Sequence, residues 1–289
     1  MIVDAHHHLW NLRRNRYPWL QTEPDPEAMI GDYSRIRRDY LVSDFVADCE
    51  PAGVVRSVHV QAEWDPGDPV GETRWLQQVA DQHGFPHGIV AAARLEDPGV
   101  DEMLEAHSAF DNMRGIRQML DRGKGLHLIG EPDWERGLAR LPAYGLSFDL
   151  QINPDQLLAS AALAGRHPDL LFVLNHCGMP QERTTDGFEL WRTGLRRLAE
   201  QPNVTAKVSG LGMFDHTWSV DSIRPYVEEM LGVFGVERCL FGSNFPVDRL
   251  YSSYPALVEA YRVLVDGLSA GEQRAFFYEN AVRVYRLDD

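Results

Sequence analysis

Residues 2–10 read Ile-Val-Asp-Ala-His-His-His-Leu-Trp, and His6 and His8 are the pair in them best suited to chemistry. On a β-strand alternate side chains share a face, so His6 and His8 point one way and His7 the other. Two residues of rise set their Cα atoms roughly 6.6 Å apart, close enough for both imidazoles to lean onto one metal ion. The β-branched Ile2 and Val3 open a short apolar run, which predicts the strand that would carry them. Three histidines inside a strand pattern are too few, and wrongly placed, for a purification tag. The competing reading is a strand end with solvated histidines, since a bare H-x-H serves either use.

The rest of the composition bounds what such a site could act on. A chain of 289 residues is one large domain or two small ones, and α/β barrels commonly run to about 250 residues. With 43 acidic against 28 basic residues the net charge is −15, which repels phosphate backbones and anionic lipid. Nucleic acid and membranes are therefore excluded as partners, a small molecule is expected, and a homo-oligomer is compatible with this composition. Any specificity for an anion must come from local arginines. Cys49, Cys177 and Cys239 form no C-x-x-C pair and suit a reduced compartment. Cys177 follows His176, but on a strand it would face away from it, as a buried structural thiol. No basic region precedes an apolar run at the N-terminus, and no window holds about 20 apolar residues, so a cytoplasmic location is expected.

Behind the histidines the chain settles into a rhythm. A polar, aromatic excursion over 11–44, with Tyr17-Pro18-Trp19-Leu20 in it, is too long for a turn and is expected to fold over something. Strands are predicted over 54–63, 88–95, 113–120, 147–152, 170–175, 204–209 and 239–242. Helices are predicted between and after them, over 72–82, 100–110, 134–141, 154–164, 188–199, 223–234, 255–264 and 272–284. Residues 170–175, Leu-Leu-Phe-Val-Leu-Asn, are the continuous apolar run of a parallel strand buried on both faces. Eight strands, each followed by a helix, make an α/β fold of the (β/α)8 TIM-barrel kind. No linker divides it, so a single domain over 1–289 is expected. A doubly wound sheet competes, but no glycine-rich phosphate loop follows the first strand.

Barrel sites lie at the C-terminal ends of the strands. Those positions hold His6 and His8 with Trp10 beyond, Gln61 and Glu63, Arg94, Arg117, Gln151, His176, Lys207 and Ser209. The last strand runs into Gly242-Ser243-Asn244-Phe245-Pro246-Val247-Asp248. His176 alone would more often be a hydrogen-bonded core histidine than a ligand. With His6 and His8 at the same mouth, a functional pocket is the better reading.

These segments resemble the amidohydrolase superfamily, in its branch of metal-dependent TIM-barrel hydrolases that includes sugar-acid and pyrone dicarboxylate lactonases. The motifs are D-A-H-H-H-L-W at 4–10, Y-P-W-L at 17–20, V-Q-A-E at 60–63 and G-I-R-Q-M-L at 115–120. They continue with L-N-H-C-G at 174–178, K-V-S-G-L at 207–211, F-G-S-N-F-P-V at 241–247 and N-A-V-R-V-Y at 280–285. The resemblance implies one divalent ion, zinc or manganese, on His6, His8 and His176, or in some members no metal. Such an ion would polarise a lactone carbonyl and acidify the attacking water. The resemblance also implies that Arg117 grips a substrate carboxylate. Gln61, Arg94, Gln151 and Lys207 are pocket candidates by strand position, and Trp10, Trp64 and Trp218 could face a sugar ring.

One departure stands out. Many members carry Asp as general base where this chain has Asn244, and an amide cannot take up a proton at neutral pH. Asp248, a histidine such as His216, or a metal-bound hydroxide would then act as base. The expected activity is hydrolysis of a sugar-acid or carboxylated lactone. The alternatives are a metal-dependent decarboxylase of an aromatic acid and a non-catalytic ligand-binding barrel.

Overall fold

The computed structural model describes residues 1–287; the last two residues of the domain expected over 1–289 lie outside it. Eight parallel strands follow one another in sequence order around a barrel. They are β1 (Ile2–His7), β2 (Val54–Val60), β3 (Gly88–Ala92), β4 (Met113–Arg117), β5 (Ser147–Leu150), β6 (Phe172–Leu174), β7 (Val204–Val208) and β8 (Cys239–Phe241). Helices alternate with them, among them Val42–Cys49, Gly71–His83, Val100–Ser108, Leu157–Arg166, Thr185–Ala199, Val220–Phe234 and Tyr254–Leu264. Among the described residues no helix is long and apolar enough to cross a membrane.

Most strands end earlier than their apolar pattern predicts. β2 stops at Val60 and β4 at Arg117, three residues short in each case of the expected 63 and 120. Beyond these points side chains take over from the ladder. Glu63 N–H donates to Gln61 Oε1, Ala62 N–H to Glu72, and Leu95 N–H to Gln118 Oε1. The chain is thus free to turn into the mouth while its buried amides stay paired.

The barrel closes through the segment after β8. Asn244 N–H donates to His6 O at 2.7 Å, and His8 N–H to Phe245 O at 2.7 Å. Asp4 fastens the seam. Its buried carboxylate accepts from Ser243 N (2.8 Å), Ser243 Oγ (2.6 Å), Tyr254 Oη (2.9 Å) and His6 N (3.1 Å). Burial raises its pKa to about 6 against the pull of those donors.

Strand β1 is not a regular strand. From Asp4 to His7 it pairs with only Ser57 to His59 of β2, a bulge of one residue. Val3 and Ala5 pack with Val58, Val60, Val173 and Leu240, and the next side chain, His6, meets the buried Lys207 of β7. Asp4 and His7 look outward, His7 stacking on Phe45 at 3.9 Å. His6 and His8 therefore share the inner face as their spacing predicts, helped by a bulge that spacing does not reveal. The C-terminal helix Asn280–Tyr285 completes this inner cluster with Ala281, Val284 and Tyr285.

Replacing Asp4 with Ala would strand two buried donors of Ser243 and the Tyr254 hydroxyl. The expected loss in urea unfolding is about 3 kcal/mol or more. A loss under about 1 kcal/mol would show that the seam holds without it.

Candidate active site

At the C-terminal ends of the strands lies a cavity of about 600 Å³. His8, Glu63, Arg117, Gln151, His176 and Asn244 form its floor and walls, and residues of the 11–44 excursion, including Trp19 and Tyr33, cover it. The aromatic excursion does fold over the site, as its composition suggests.

The three histidines meet here. The His6 ring centre lies 4.3 Å from that of His176 and 5.1 Å from that of His8. His8 Nδ1 is 2.7 Å from Val60 O. A carbonyl only accepts, so the proton of neutral His8 is on Nδ1 and Nε2 carries the lone pair. His176 Nδ1 is paired with Ser209 Oγ at 3.0 Å, which leaves Nε2 for a ligand. His6 Nε2 is buried and has no partner. Burial is the largest cause holding all three pKa values well below 6.5, with the charges of Lys207 (on His6) and Arg117 (on His8 and His176) next. The trio is neutral at neutral pH.

His176 depends on a glycine. Gly210 has φ +68°, and a Cβ there would lie 2.5 Å from His176 Nδ1. Left-handed backbone also occurs at Glu63, His176 and Asn244, all on the cavity wall, at φ 59°, 51° and 56°. Such conformations persist where surrounding structure imposes them, and they collect at functional sites.

Several expected contacts are placed otherwise. Lys207 does not reach the cavity; it is buried beneath it, 2.5 Å from Asp149, with its Nζ 3.4 Å from His6 Nδ1. Tyr285 Oη and Asn175 Nδ2 complete the Asp149 carboxylate's bonds, and an interior strand position explains why Lys207 looks like a pocket residue in sequence. Arg94 leans outward to Glu96 and Asp97. Trp10 is buried, giving its indole N–H to Arg38 O, and it is Trp19 that lines the cavity. Gln61 serves the β2 turn. His216 stacks on Tyr251 at 4.1 Å, away from the cavity. Asp248 lies buried behind Asn244, its Oδ1 accepting from Asn244 Nδ2 at 2.8 Å.

Arg117 lines the cavity, but not as a free fork. One terminal nitrogen donates to Gln151 Oε1 at 2.7 Å and the other to Gln61 O, while Nε has no partner. Burial lowers its pKa to about 10, so it stays cationic. Around it the cavity presents Glu63, expected from its strand end, and carboxylates that sequence spacing does not single out: Asp25, Glu27, Asp121, Asp155 and Glu182. They come from loops, whose path no periodicity records.

The matching family profile is Amidohydrolase, over residues 3–287. The chain belongs to the amidohydrolase family. An uncharacterized protein, y4mH, of Sinorhizobium fredii is 44% identical over 99% of this chain and 98% of its own. An L-fucono-1,5-lactonase of Burkholderia multivorans is 30% identical, covering 99% of this chain and 96% of its own. A crystal structure of a Burkholderia multivorans amidohydrolase with bound zinc superposes with a TM-score of 0.85 at 28% identity, over all of both chains.

A metal ion in this amidohydrolase would need the histidine trio. Their chemistry suits it in part: all three are neutral and Nε2 of His8 and of His176 is open, whereas the Lys207 ammonium can only donate to His6 Nδ1, which puts the proton of neutral His6 on its unpartnered Nε2. Yet among the described residues no three His, Cys, Asp or Glu side chains are grouped so as to hold one. Asn244 supplies no charge, and the Lys207 ammonium lies beside His6.

Gly210→Ala is expected to drive the His176 ring out of hydrogen-bond reach of Ser209 Oγ without unfolding the barrel. A crystal structure of the variant with the ring unmoved would show the cradle to be wider than its geometry.

Proposed function

We propose that this amidohydrolase opens the ring of a neutral, hydroxylated lactone such as a sugar-acid lactone. The observation that carries the reading is the neutral imidazole pair of His8 and His176 beside the Arg117 charge at the foot of the cavity. The sequence likeness to an L-fucono-1,5-lactonase supports the reaction class.

The reaction adds water across one ester bond. His8 Nε2 takes a proton from water as its oxygen adds to the lactone carbonyl carbon. Arg117, held by Gln151 and Gln61 O, faces the negative charge that develops on the carbonyl oxygen. The ring C–O bond then breaks, and the proton passes from His8 to the departing alkoxide, leaving a hydroxy acid. His176 Nε2, with its ring steadied by Ser209, supports the same oxygen. A divalent ion held by His6, His8 and His176 would occupy the one lone pair of His8, and would then polarise the carbonyl and acidify the water in place of His8. Asn244 contributes a hydrogen-bond acceptor and not a base. A lactone needs less of its base than an amide does, because its leaving group departs more readily.

The walls argue for an uncharged substrate. Each terminal nitrogen of the Arg117 fork expected to grip a carboxylate already gives one N–H to Gln151 or to Gln61 O, which leaves one N–H on each for the carbonyl oxygen. Arg122 lies 3.6 Å from Asp121, and the other wall carboxylates would repel an anion. Substrate hydroxyls, by contrast, can donate to them.

On a panel of lactones, kcat/KM for neutral aldonolactones is expected to exceed that for ring dicarboxylates by about tenfold or more, a difference of about 1.4 kcal/mol. Measured with chelator and with added zinc or manganese, the same panel reads the metal's share. No turnover of any lactone would overturn the reading.

His8→Ala should lower kcat by about 10²–10⁴-fold. Because protonation consumes the Nε2 lone pair and the pKa lies well below 6.5, kcat of the parent protein should stay level from pH 8 to 6 and fall only on further acidification. Unchanged turnover in the variant would remove His8 from the mechanism.

A further inference from the structure

Asn244 and Asp248 lie one turn apart on the segment after β8. The turn is closed by Asp248 N–H donating to Asn244 O at 3.1 Å, and opened by Asn244 N–H donating across the seam to His6 O. Both side chains are buried, but only Asn244 reaches the cavity. An amide has a donating end and an accepting end, and which end meets the cavity decides what it can do there. Asp248 settles this. Its Oδ1 takes the Asn244 Nδ2–H at 2.8 Å; burial raises the Asp248 pKa to about 7, and the oxygen that accepts this bond can do so whether the carboxyl is ionised or carries its proton on Oδ2. The nitrogen is therefore turned back into the barrel wall, and Oδ1 of Asn244 is the end turned to the cavity, beside His8. Asp248 has no other side-chain bond, since its Oδ2 is buried without a partner.

Resting on the hydrolytic reading of the same cavity, we propose that Asp248 is a positioning residue. It turns the Asn244 amide so that its carbonyl oxygen faces the cavity and accepts a hydrogen bond from the attacking water or a substrate hydroxyl. The carboxylate that a general base would supply at position 244 is found one turn behind it, where it acts through the amide. Asp248 itself touches no substrate. Its oxygen matters as an acceptor, and its charge and its proton do not.

Two variants separate these properties. Asp248→Asn keeps an acceptor oxygen of the same shape and removes the charge. Asp248→Leu keeps the volume and removes the acceptor. Asp248→Asn is expected to keep kcat within about threefold of the parent, with the same pH profile. Asp248→Leu should lower kcat about 100-fold while KM moves far less, as for a misplaced group that acts on the transition state. Equal damage in both would make the carboxylate a base and overturn the proposal; so would full activity in Asp248→Leu.

A second readout needs no turnover and no leucine. Hydrogen exchange of the Asn244 side-chain amide, followed by NMR, should be slow in the parent and in Asp248→Asn and fast in Asp248→Ala. Fast exchange in the parent would overturn the proposal. If the parent opens no lactone but its amide is protected in this pattern, the hydrolytic reading fails while the positioning by Asp248 stands.

Discussion

Asp4 carries more of this structure than its size suggests. One buried carboxylate receives four donors, from its own strand, from the segment after β8 and from the helix Tyr254–Leu264. Without water to compete, each bond is worth more than it would be on the surface, and each donor left alone would cost more. The seam that Asp4 ties is also where the site is assembled. His6 and His8 stand on one side of it and Asn244 on the other, joined by backbone bonds at 2.7 Å. Closing the barrel and building the site are one event.

Exclusion of water then sets the chemistry. Below the cavity, Lys207 and Asp149 form an ion pair with no exposure, and Tyr285 and Asn175 satisfy the carboxylate. A buried pair of this kind costs desolvation and is tolerable only when its remaining bonds are made. Its positive end, with Arg117, faces the histidines and helps to keep them neutral. Neutral imidazoles are what both a proton acceptor and a metal ligand require. The same floor thus suits either use, and the acidic wall above it favours uncharged, hydroxyl-rich molecules. The net charge of −15 points in the same direction at longer range.

Kinship and geometry are complementary here. The amidohydrolase family accounts for the strand-end histidines and the barrel. At position 244 the chain carries an amide, and its nitrogen is held by Asp248. The left-handed backbone at Glu63, His176 and Asn244 belongs to the same region, where the surrounding wall holds residues in conformations they would not choose.

Strand identity was legible in the sequence because it rests on local pattern. β-branched and apolar runs recur at the spacing of a barrel, and all eight strands lie where those runs fall. His6, His8 and His176 were legible too, since parity on a strand and position at its end are local properties. Where side chains beyond the strands point was not. Lys207 and Gln151 occupy similar strand ends, yet one is buried against Asp149 and the other lines the cavity. Arg94 and Arg117 differ in the same way, one paired with Glu96 on the outside and one held by Gln151 within. Lys207 and Arg117 are held by partners 58 and 34 residues away, which only closure of the barrel brings together, while Arg94 is turned out to neighbours two and three residues along. The sequence by itself determined which residues could do chemistry and at which end of the barrel. The tertiary structure decided which of them face the cavity, because hydrogen bonding and exclusion of water act between neighbours in space.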